Sequence, residues 1–211
     1  MIELITATEW ANSPEIRREV FEFRHRIFVK RLGWEIPSID SMEFDNYDAL
    51  LPVNMIARDA SGRLTATWRL LPTTGPYMLR NTFQDLLGEM EAPVSEAVWE
   101  ISRFAFDPRE TGSRRVSEFA KIAGETFCAL GEFGLQIGMN EVIGVYDMRI
   151  SHILKTLGCL PLWIGKPKRI GNCLAVAASF EVSLKRLRSL RQTLARSKPI
   201  LIPFTPTRKA A

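Results

Sequence analysis

The spacing of apolar and polar positions along this chain changes repeatedly between the period of a helix and that of a strand. Ser13 and Pro14 form a typical helix start, and the apolar positions that follow recur at helical spacing, which predicts a first helix ending near Gly33. Residues 53–58 and 63–73 instead alternate apolar and polar side chains on either side of the turn sequence DASG. They therefore predict a β-hairpin.

Further along, the same criteria predict alternating strands and helices, without repeats or low-complexity segments. Residues 32–51 are rich in acids and turn formers and carry no predicted element, and long loops of this kind are frequently functional. The pattern favours an α/β fold, a three-layer α-β-α sandwich, as a single domain over residues 1–211. The remaining predicted elements are a short helix near 81–88, a strand from 98, a helix over 113–138, a strand over 141–147, a helix over 150–158, and two final strands, LPLWIG and NCLAVAASF.

The net charge of +4 is unevenly distributed along the 211 residues. Eight Lys or Arg follow Phe180 against the single Glu181, so the preceding part carries a small acidic excess. Apolar leucines at helical spacing after Glu181 predict a basic, amphipathic terminal helix and tail at about 181–211, either docked with a solvated basic face or contacting an acidic partner. No element that could read bases accompanies this charge, which argues against nucleic-acid binding.

Localisation and metal binding are constrained by what the sequence lacks. No apolar run of about 18 residues is present, so no membrane span is expected. The N-terminal residues carry neither the basic start nor the apolar block of a signal peptide, which indicates a cytoplasmic protein. The three cysteines are scattered and never in CxxC spacing, so neither a disulfide framework nor a metal site is expected.

Two charges interrupt the apolar strand VWEISRFAFD, residues 98–107. Glu100 and Arg103 would be costly to bury without partners, so they must be paired or functional. Arg24 of the first helix, Asp45 and Asp48 of the acidic connection, and Arg69 of the hairpin are further charged candidates.

The spacing of these residues carries a family resemblance. The pattern Arg24-x3-Phe28-x5-Trp34, Asp45-x2-Asp48, Arg69, Phe83 and Glu100-x2-Arg103 resembles the acyl-homoserine-lactone synthases, the LuxI-type autoinducer synthases of bacterial quorum sensing. The stretches RHRIFVKRLGW, FDNYD, RLLPTTGPYML and VWEISRFA are similar to that family as well, and the resemblance covers about residues 16–180.

The resemblance implies a GNAT-like N-acyltransferase fold with a mixed, splayed central sheet. It also implies two substrates, S-adenosylmethionine and an acyl chain carried by acyl carrier protein or coenzyme A, with no cofactor and no metal. The amine of S-adenosylmethionine would attack the acyl thioester, and its carboxylate would then close the lactone and release methylthioadenosine. The alternative is a GNAT-type N-acetyltransferase using acetyl-CoA, which would not require Trp34, Asp45 or Asp48.

The resemblance also assigns roles to residues. Glu100 is expected to be the base that removes a proton from the amine, because burial raises the pKa of a carboxyl group. Glu100 and Arg103 lie three apart and would face opposite sides of a regular strand, so we predict a β-bulge between them. The predicted catalytic residues are Glu100, Arg103, Arg69, Arg24, Asp45 and Asp48, and the predicted S-adenosylmethionine contacts are Phe28, Trp34, Phe83, Ser102 and Arg103.

The acyl donor is expected to meet two further groups of residues. Family members that use 3-oxo chains tend to have Thr where this chain has Gly144, so we expect an unsubstituted acyl chain. Arg114 replaces the small residue of the pyrophosphate-binding turn of related acetyltransferases, which favours carrier protein over free coenzyme A, although a solvated basic loop is the alternative. The predicted acyl pocket is Phe104, Gly144, Ile150, Ile153 and Leu154, and the predicted phosphopantetheine or carrier contacts are Arg109, Gly112, Arg114 and Arg115.

Overall fold

A mixed β-sheet covered by helices on both faces forms the centre of the protein. The computed structural model describes residues 2–107 and 115–202, with side chains from residue 120 onward in the second range. This is the three-layer α-β-α arrangement that the sequence predicts. The strands are β1 (Ile2–Ile5), β2 (Ser38–Ile39), β3 (Met42–Glu43), β4 (Val53–Arg58), β5 (Leu64–Pro72), β6 (Val98–Phe106), β7 (Glu141–Asp147), β8 (Trp163–Ile164), β9 (Lys168–Ile170) and β10 (Cys173–Glu181).

The helices vary in length and type. The α-helices are α1 (Ala7–Asn12), α2 (Pro14–His25), α3 (Met78–Asn81), α4 (Arg115–Ile137), α5 (Ser151–Thr156) and α6 (Leu184–Thr193). A π-helical turn, Arg26–Arg31, continues α2, and short 3-10 helices cover Asn46–Leu50, Gln84–Leu86 and Met148–Ile150. Within the described residues, no helix combines the length and apolar character needed to cross a membrane.

The central sheet has the strand order β1-β4-β5-β6-β7-β10-β8, with β9 also paired to β10. Neighbouring strands are antiparallel except β6 and β7, which are parallel. The β6–β7 pairing ends at the rung Ile101↔Gly144, although both strands continue beyond it. The sheet is therefore splayed between these two strands, which opens a cleft at its middle.

The two faces of the sheet carry different helices and different cores. On one face, Trp68 and Leu70 of β5 pack with residues of α4, α5 and α6. On the other, Ile56 and Leu64 pack with α1 and α2, and Leu71 packs with the segment around α3. Because side chains alternate along a strand, each residue of β5 and β6 is assigned to one face by its register. We call these the α4 face and the α2 face.

Several elements differ from the sequence-based prediction. Residues 32–51 are not structureless, because they form the β2–β3 hairpin and the 3-10 helix Asn46–Leu50. The hairpin turns through Asp40 and Ser41, both with positive φ, and Asp45 caps the 3-10 helix. Such two-residue strands are too short to leave a periodic pattern, so this prediction was wrong for a physical reason. The described residues also include β1, α1 and β9, which were not predicted.

The C-terminal part of the chain is docked onto the body. Leu187 and Leu190 of α6 are buried against α4, so the amphipathic terminal helix is confirmed. Beyond it, Leu201 forms a parallel bridge with Ile2 beside β1. Glu132 of α4 accepts the backbone N–H groups of Ile200 and Leu201, which ties this segment to the α4 face.

Candidate functional site

A β-bulge in β6 organises the site. Ser102 pairs with Arg69 and Ala105 with Thr67, so Trp68 of β5 faces two residues of β6. The first of these, Arg103, has a φ of +53°, a left-handed conformation that is unusual for a residue with a side chain. The predicted irregularity is confirmed, and it lies at Arg103 itself.

The bulge places charged residues on one face of the sheet. Glu100, Ser102 and Arg103 all project to the α2 face, where Glu100 and Arg103 both contact the segment around Met78. Phe104, the next residue, packs on the α4 face against Trp68. The bulge thus separates a polar side of the cleft from an apolar side.

On the α2 face, three guanidinium groups and three carboxylates form a closed ring in which each group contacts two of opposite charge. The three carboxylates come from one short segment, residues 43–48, whereas the three arginines come from α2, β5 and β6. The ring runs Arg24, Glu43, Arg103, Asp45, Arg69, Asp48 and back to Arg24.

The inner half of the ring is buried. Arg24 Nη1 and Nη2 donate to the two oxygens of Asp48 at 2.9 and 3.1 Å, and Arg24 Nε donates to Glu43 Oε2 at 2.6 Å. Arg69 Nη1 lies 2.9 Å from Asp48 Oδ1. Such bidentate, charge-assisted contacts have strict geometry, so the inner half locks α2 to β5.

The outer half of the ring faces the cleft. Arg103 Nη2 lies 2.7 Å from Asp45 Oδ2, and Arg69 Nη1 lies 2.6 Å from Asp45 Oδ1. The side chains of Arg103 and Asp45 are 14% and 19% exposed, whereas the other four members are at most 4% exposed. A ligand entering the cleft would therefore meet Arg103 and Asp45 first.

Burial and pairing shift the pKa values of the ring in opposite directions. Burial alone would raise the pKa of Asp48, but the guanidiniums of Arg24 and Arg69 lower it below its ordinary value. Burial similarly opposes ionisation of Arg24, whose pKa is nevertheless raised by Asp48 and Glu43. The ring contains three guanidiniums and three carboxylates, so their formal charges cancel.

Glu100 stands apart from the ring, and its side chain is fully buried. Its Oε2 accepts the backbone N–H of Met78 at 3.0 Å, and its Oε1 accepts that of Leu79 at 2.6 Å. Burial raises the pKa of Glu100, while these two N–H groups and the charges of Arg69 and Arg103 partly lower it. Each carboxylate oxygen still has a free lone pair, so the group can accept a proton.

An aromatic pair lies at the end of the π-helical turn. The rings of Phe28 and Trp34 are stacked, with centroids 4.9 Å apart and planes 3° from parallel. Phe28 is buried, whereas Trp34 is 38% exposed. One face of the Trp34 ring is therefore covered by protein, and the side chain remains accessible to a ligand.

The other predicted S-adenosylmethionine contacts lie on the same side of the sheet. Ser102 Oγ accepts the Nε–H of Arg69 at 3.2 Å. Phe83 is half-buried and packs against the same core cluster as Tyr47, whose ring lies under the Arg69 guanidinium at 5.4 Å. The structure therefore groups these predicted residues with the charged ring.

The predicted acyl residues share the opposite, α4 face. Leu154 belongs to the buried core there, and Phe104, Ile150 and Ile153 pack against the same core. A separate cavity of about 50 Å³ in this layer is lined by Phe127, Leu130, Val142, Phe180 and Leu187 among others, and none of the five predicted acyl residues lines it.

Gly144 has a packing role that was not foreseen. A Cβ atom at this position would lie 2.9 Å from Ile101 Cγ2 and 2.9 Å from the Ile101 carbonyl oxygen. Since the second contact is to backbone, a side chain at residue 144 requires β6 and β7 to separate. Glycine here therefore fits the close approach of the last paired rung, independently of acyl-chain chemistry.

Some predicted residues lie outside the described part of the chain. These are Arg109, Gly112 and Arg114, while Arg115 begins α4 and its side chain is not described. Their proposed contact with phosphopantetheine or a carrier protein stays a prediction. Among the described residues, no group of His, Cys, Asp and Glu side chains is arranged to hold a metal ion.

Glu43 is the ring member that sequence reasoning missed. A count of charges gave no signal for it, because three predicted arginines were already matched by three predicted acids, Asp45, Asp48 and Glu100. In the structure Glu100 accepts backbone N–H groups, so the three buried guanidiniums need a third carboxylate. Glu43, two residues before Asp45, meets that requirement with a side chain only 1% exposed.

Comparisons with known proteins agree with this arrangement. Residues 9–190 match the family model described as autoinducer synthase. The acyl-homoserine-lactone synthase of Pseudomonas aeruginosa is 36% identical over 169 residues, which are 79% of this chain and 83% of that protein.

Solved structures show the same architecture. BjaI, a CoA-dependent acyl-homoserine lactone synthase whose structure contains SAM and isopentyl-CoA, has a TM-score of 0.83 at 25% identity, covering 98% of this chain and 94% of that one. A Lactobacillus plantarum protein named as a N-acetyltransferase has a TM-score of 0.56 at 14% identity, covering 86% and 99%. The latter likeness concerns the fold alone and places the sheet among GNAT-like folds.

Proposed function

This chain belongs to the autoinducer synthase family, the acyl-homoserine-lactone synthases, and from that premise we propose that it acylates S-adenosylmethionine and closes the product to a lactone. Membership makes it an acyltransferase. The alternative of an N-acetyltransferase using acetyl-CoA has support from the fold alone, because that neighbour is only 14% identical.

The observation that carries the proposal is the separation produced by the bulge at Arg103. Charged and aromatic groups lie on the α2 face, apolar groups lie on the α4 face, and β6 and β7 part between them. S-adenosylmethionine is polar and charged, whereas an acyl chain is apolar. Each substrate thus has a face that suits it, and the two can meet through the gap in the sheet.

The face proposed to bind S-adenosylmethionine offers both charged side chains and an aromatic surface. Asp45 and Asp48 are already paired with arginines, so they clamp the ring and do not confront the ligand as free acids. Because the ring is neutral in sum, the charge of Glu100 is left to favour a cation. Trp34, stacked on Phe28, would cover the sulfonium or adenine, with a cation–π contribution of about 0.5–2 kcal/mol.

Acylation requires the ammonium of S-adenosylmethionine to lose a proton. In our proposal Glu100 takes this proton, directly or through a water, and the amine nitrogen attacks the thioester carbonyl carbon. The carbon–sulfur bond of the thioester breaks and the carrier thiol leaves. In this proposal, backbone N–H groups of β6 and β7 beyond the Ile101↔Gly144 rung, where the pairing of the two strands ends, bind the developing oxyanion.

Lactone closure follows within the acylated intermediate. A carboxylate oxygen attacks the carbon bound to the sulfonium, the carbon–sulfur bond breaks with its electrons going to sulfur, and neutral methylthioadenosine leaves. The second step consumes a negative and a positive charge, so it is favoured in a site of low polarity. Arg103, at the outer edge of the ring, would orient that carboxylate.

For the donor we propose an unsubstituted acyl chain on acyl carrier protein. Gly144 provides no side-chain hydrogen-bond donor for a 3-oxo group, and the basic residues around Arg109 and Arg114 suit an acidic carrier. The apolar core of the α4 face, where Leu154 is buried and Phe104, Ile150 and Ile153 pack, supports burial of the chain.

The function is tested by incubating the purified protein with S-adenosylmethionine and acyl donors, and measuring methylthioadenosine and acyl-homoserine lactone by mass spectrometry. We expect both products in equal amount, and neither when the donor is omitted. Acetyl transfer without methylthioadenosine would instead support the N-acetyltransferase alternative.

Paired donors resolve the finer proposals. Each chain length is supplied on carrier protein and on coenzyme A, with and without a 3-oxo group. A higher kcat/KM for the unsubstituted carrier-protein donor is expected. A strong 3-oxo preference would contradict the interpretation of Gly144, and a coenzyme A preference would contradict that of Arg114.

A further inference from the structure

Glu43 joins helix α2 to strand β6 on the face of the sheet that we propose binds S-adenosylmethionine. Its Oε2 accepts Arg24 Nε on α2 at 2.6 Å, and its Oε1 accepts Arg103 Nε on β6 at 3.1 Å. We infer that Glu43 is a positioning residue for the reaction, holding Arg103 and helix α2 in register with the base Glu100. This inference rests on the proposed function.

The backbone conformation of Arg103 needs support from neighbouring contacts. A left-handed backbone costs about 1–2 kcal/mol for a residue with a side chain, so neighbouring contacts must hold it. The carboxylates of Glu43 and Asp45 each form an ion pair with its guanidinium. Because Asp45 is itself at the cleft, Glu43 is the buried support behind the group.

The planar shape of a guanidinium lets one contact orient the whole group. Its nitrogens form a rigid planar fork, so fixing Nε fixes the direction of both Nη atoms. With Arg103 Nε on Glu43, Nη2 is directed to Asp45 at 2.7 Å and Nη1 lies 3.4 Å from Met78 Sδ. Met78 also donates its N–H to Glu100. Glu43 therefore sets how Arg103 is placed relative to the segment that holds the base.

Through Arg24, Glu43 is also linked to the stacked rings of Phe28 and Trp34. Arg24 and Phe28 lie four residues apart along α2 and its π-helical turn, and Phe28 stacks under Trp34. A shift of Arg24 away from Glu43 would move this pair relative to β6. The Glu43 carboxylate therefore influences where the aromatic pair lies relative to Glu100.

The negative charge of Glu43 also offsets the positive charges of the ring. Removing the charge of Glu43 would leave the ring with an excess positive charge beside a ligand that carries a sulfonium and an ammonium. Binding of S-adenosylmethionine should weaken more than binding of the acyl donor, which lies on the other face of the sheet.

Two substitutions separate positioning from simple stability. Glu43→Asp keeps the charge but shortens the side chain by one methylene, so it cannot span both arginines, and Glu43→Gln keeps the length but removes the charge. For Glu43→Asp we expect the KM for S-adenosylmethionine to rise roughly tenfold or more, with the KM for the acyl donor changed by less than about twofold. Glu43→Gln should show a larger rise.

Glu19 offers a matched control. It makes a bidentate ion pair with Arg58 at 2.6 Å, is 40% exposed, and lies outside the site. Glu19→Asp and Glu19→Gln should leave both KM values unchanged. Thermal unfolding of every variant shows how much folded protein is assayed.

The outcomes are distinct. If Glu43→Asp lowers thermal stability but leaves kcat and both KM values at wild-type levels, Glu43 is merely structural and the inference is overturned. If Glu43→Gln does not fold, the KM values of Glu43→Asp still test the inference. If neither single variant folds, the double variant Glu43→Gln/Arg24→Gln, which removes one charge of each sign, is tested in their place. It should again raise the KM for S-adenosylmethionine. Wild-type protein that makes no methylthioadenosine would instead refute the proposed function.

Discussion

At the scale of single residues, the site depends on carboxylates whose surroundings differ. Those of Asp48 and Glu43 are held by guanidiniums, whereas that of Glu100 accepts two backbone N–H groups. Burial raises the pKa of Glu100, and pairing with Arg24 and Arg69 lowers that of Asp48. The surroundings of these side chains thus fit the roles proposed for them, proton transfer for Glu100 and positioning for Asp48 and Glu43.

Glu100→Gln should slow turnover about a hundredfold or more, because an amide cannot accept the ammonium proton. It should also destabilise the protein by about 1–3 kcal/mol, since an amide offers one acceptor oxygen where Met78 and Leu79 need two. Product formation and urea unfolding measure the two effects. A variant with full rate would require another base.

The pH dependence of wild-type kcat should report the same group. Glu100 must be deprotonated to act, so kcat should fall as the pH is lowered through its folded-state pKa, which burial places above the ordinary 4.5. Arg69 and Arg103 face this carboxylate, and their charges partly offset the effect of burial on its pKa. A limb at or below the ordinary value would contradict the assignment.

Trp34→Ala should raise the KM for S-adenosylmethionine by about 2- to 30-fold, corresponding to about 0.5–2 kcal/mol of lost cation–π contact. Its effect on folding should be small, because the side chain is 38% exposed. Ile39→Ala, at a 60% exposed position of the nearby hairpin, is the control and should leave this KM unchanged. Equal effects of both substitutions would argue against a ligand contact.

At the scale of elements, the rung at which β6 and β7 part is decisive. The rung pairs Ile101 with Gly144, and no side chain fits at residue 144 without moving the Ile101 backbone. The opening of the cleft therefore depends on a glycine at the end of the parallel pairing.

Gly144→Ala should destabilise the protein by roughly 1–3 kcal/mol, as expected when a methyl group is forced into packed backbone. Activity per folded molecule should fall as well, because the strands must separate at the mouth of the cleft. Gly75→Ala is the control, since a Cβ at Gly75 meets nothing within 4 Å. Circular dichroism melts and product assays test both effects, and an unchanged melt for Gly144→Ala would show that the rung can relax freely.

At the scale of the whole molecule, the two ends of the described chain meet on the side of the sheet remote from the charged ring. Ile2 bridges to Leu201, and buried Glu132 accepts the N–H groups of Ile200 and Leu201. Arg191 of α6 pairs with the same carboxylate. The basic terminal helix is thereby part of the folded body.

Glu132→Gln should therefore cost about 1–3 kcal/mol of stability while leaving kcat unchanged. Glu125→Gln, on the same helix and paired with Arg196, should cost less because that arginine is 48% exposed. Urea unfolding and product assays compare the two variants. A loss of kcat in folded Glu132→Gln protein would connect the terminal segment to catalysis.

The sequence by itself determined the fold class and the main helices and strands, and it predicted five of the six charged residues that the structure brings together in the ring. Amphipathic periods are long in α2, β5 and α4, and charges such as Glu100 and Arg103 are conspicuous within an apolar strand. The bulge also followed from sequence, because residues three apart cannot otherwise share a face of a sheet.

Only the tertiary structure decided how the charges are partnered. Glu43 and Arg103 lie 60 residues apart, and nothing local specifies that each guanidinium contacts two carboxylates. The exclusion of a side chain at Gly144 likewise arises from the approach of Ile101 on a neighbouring strand. Local periodicity reflects which face a residue occupies, whereas pairing and close approach depend on distances between segments that meet only when the sheet has formed.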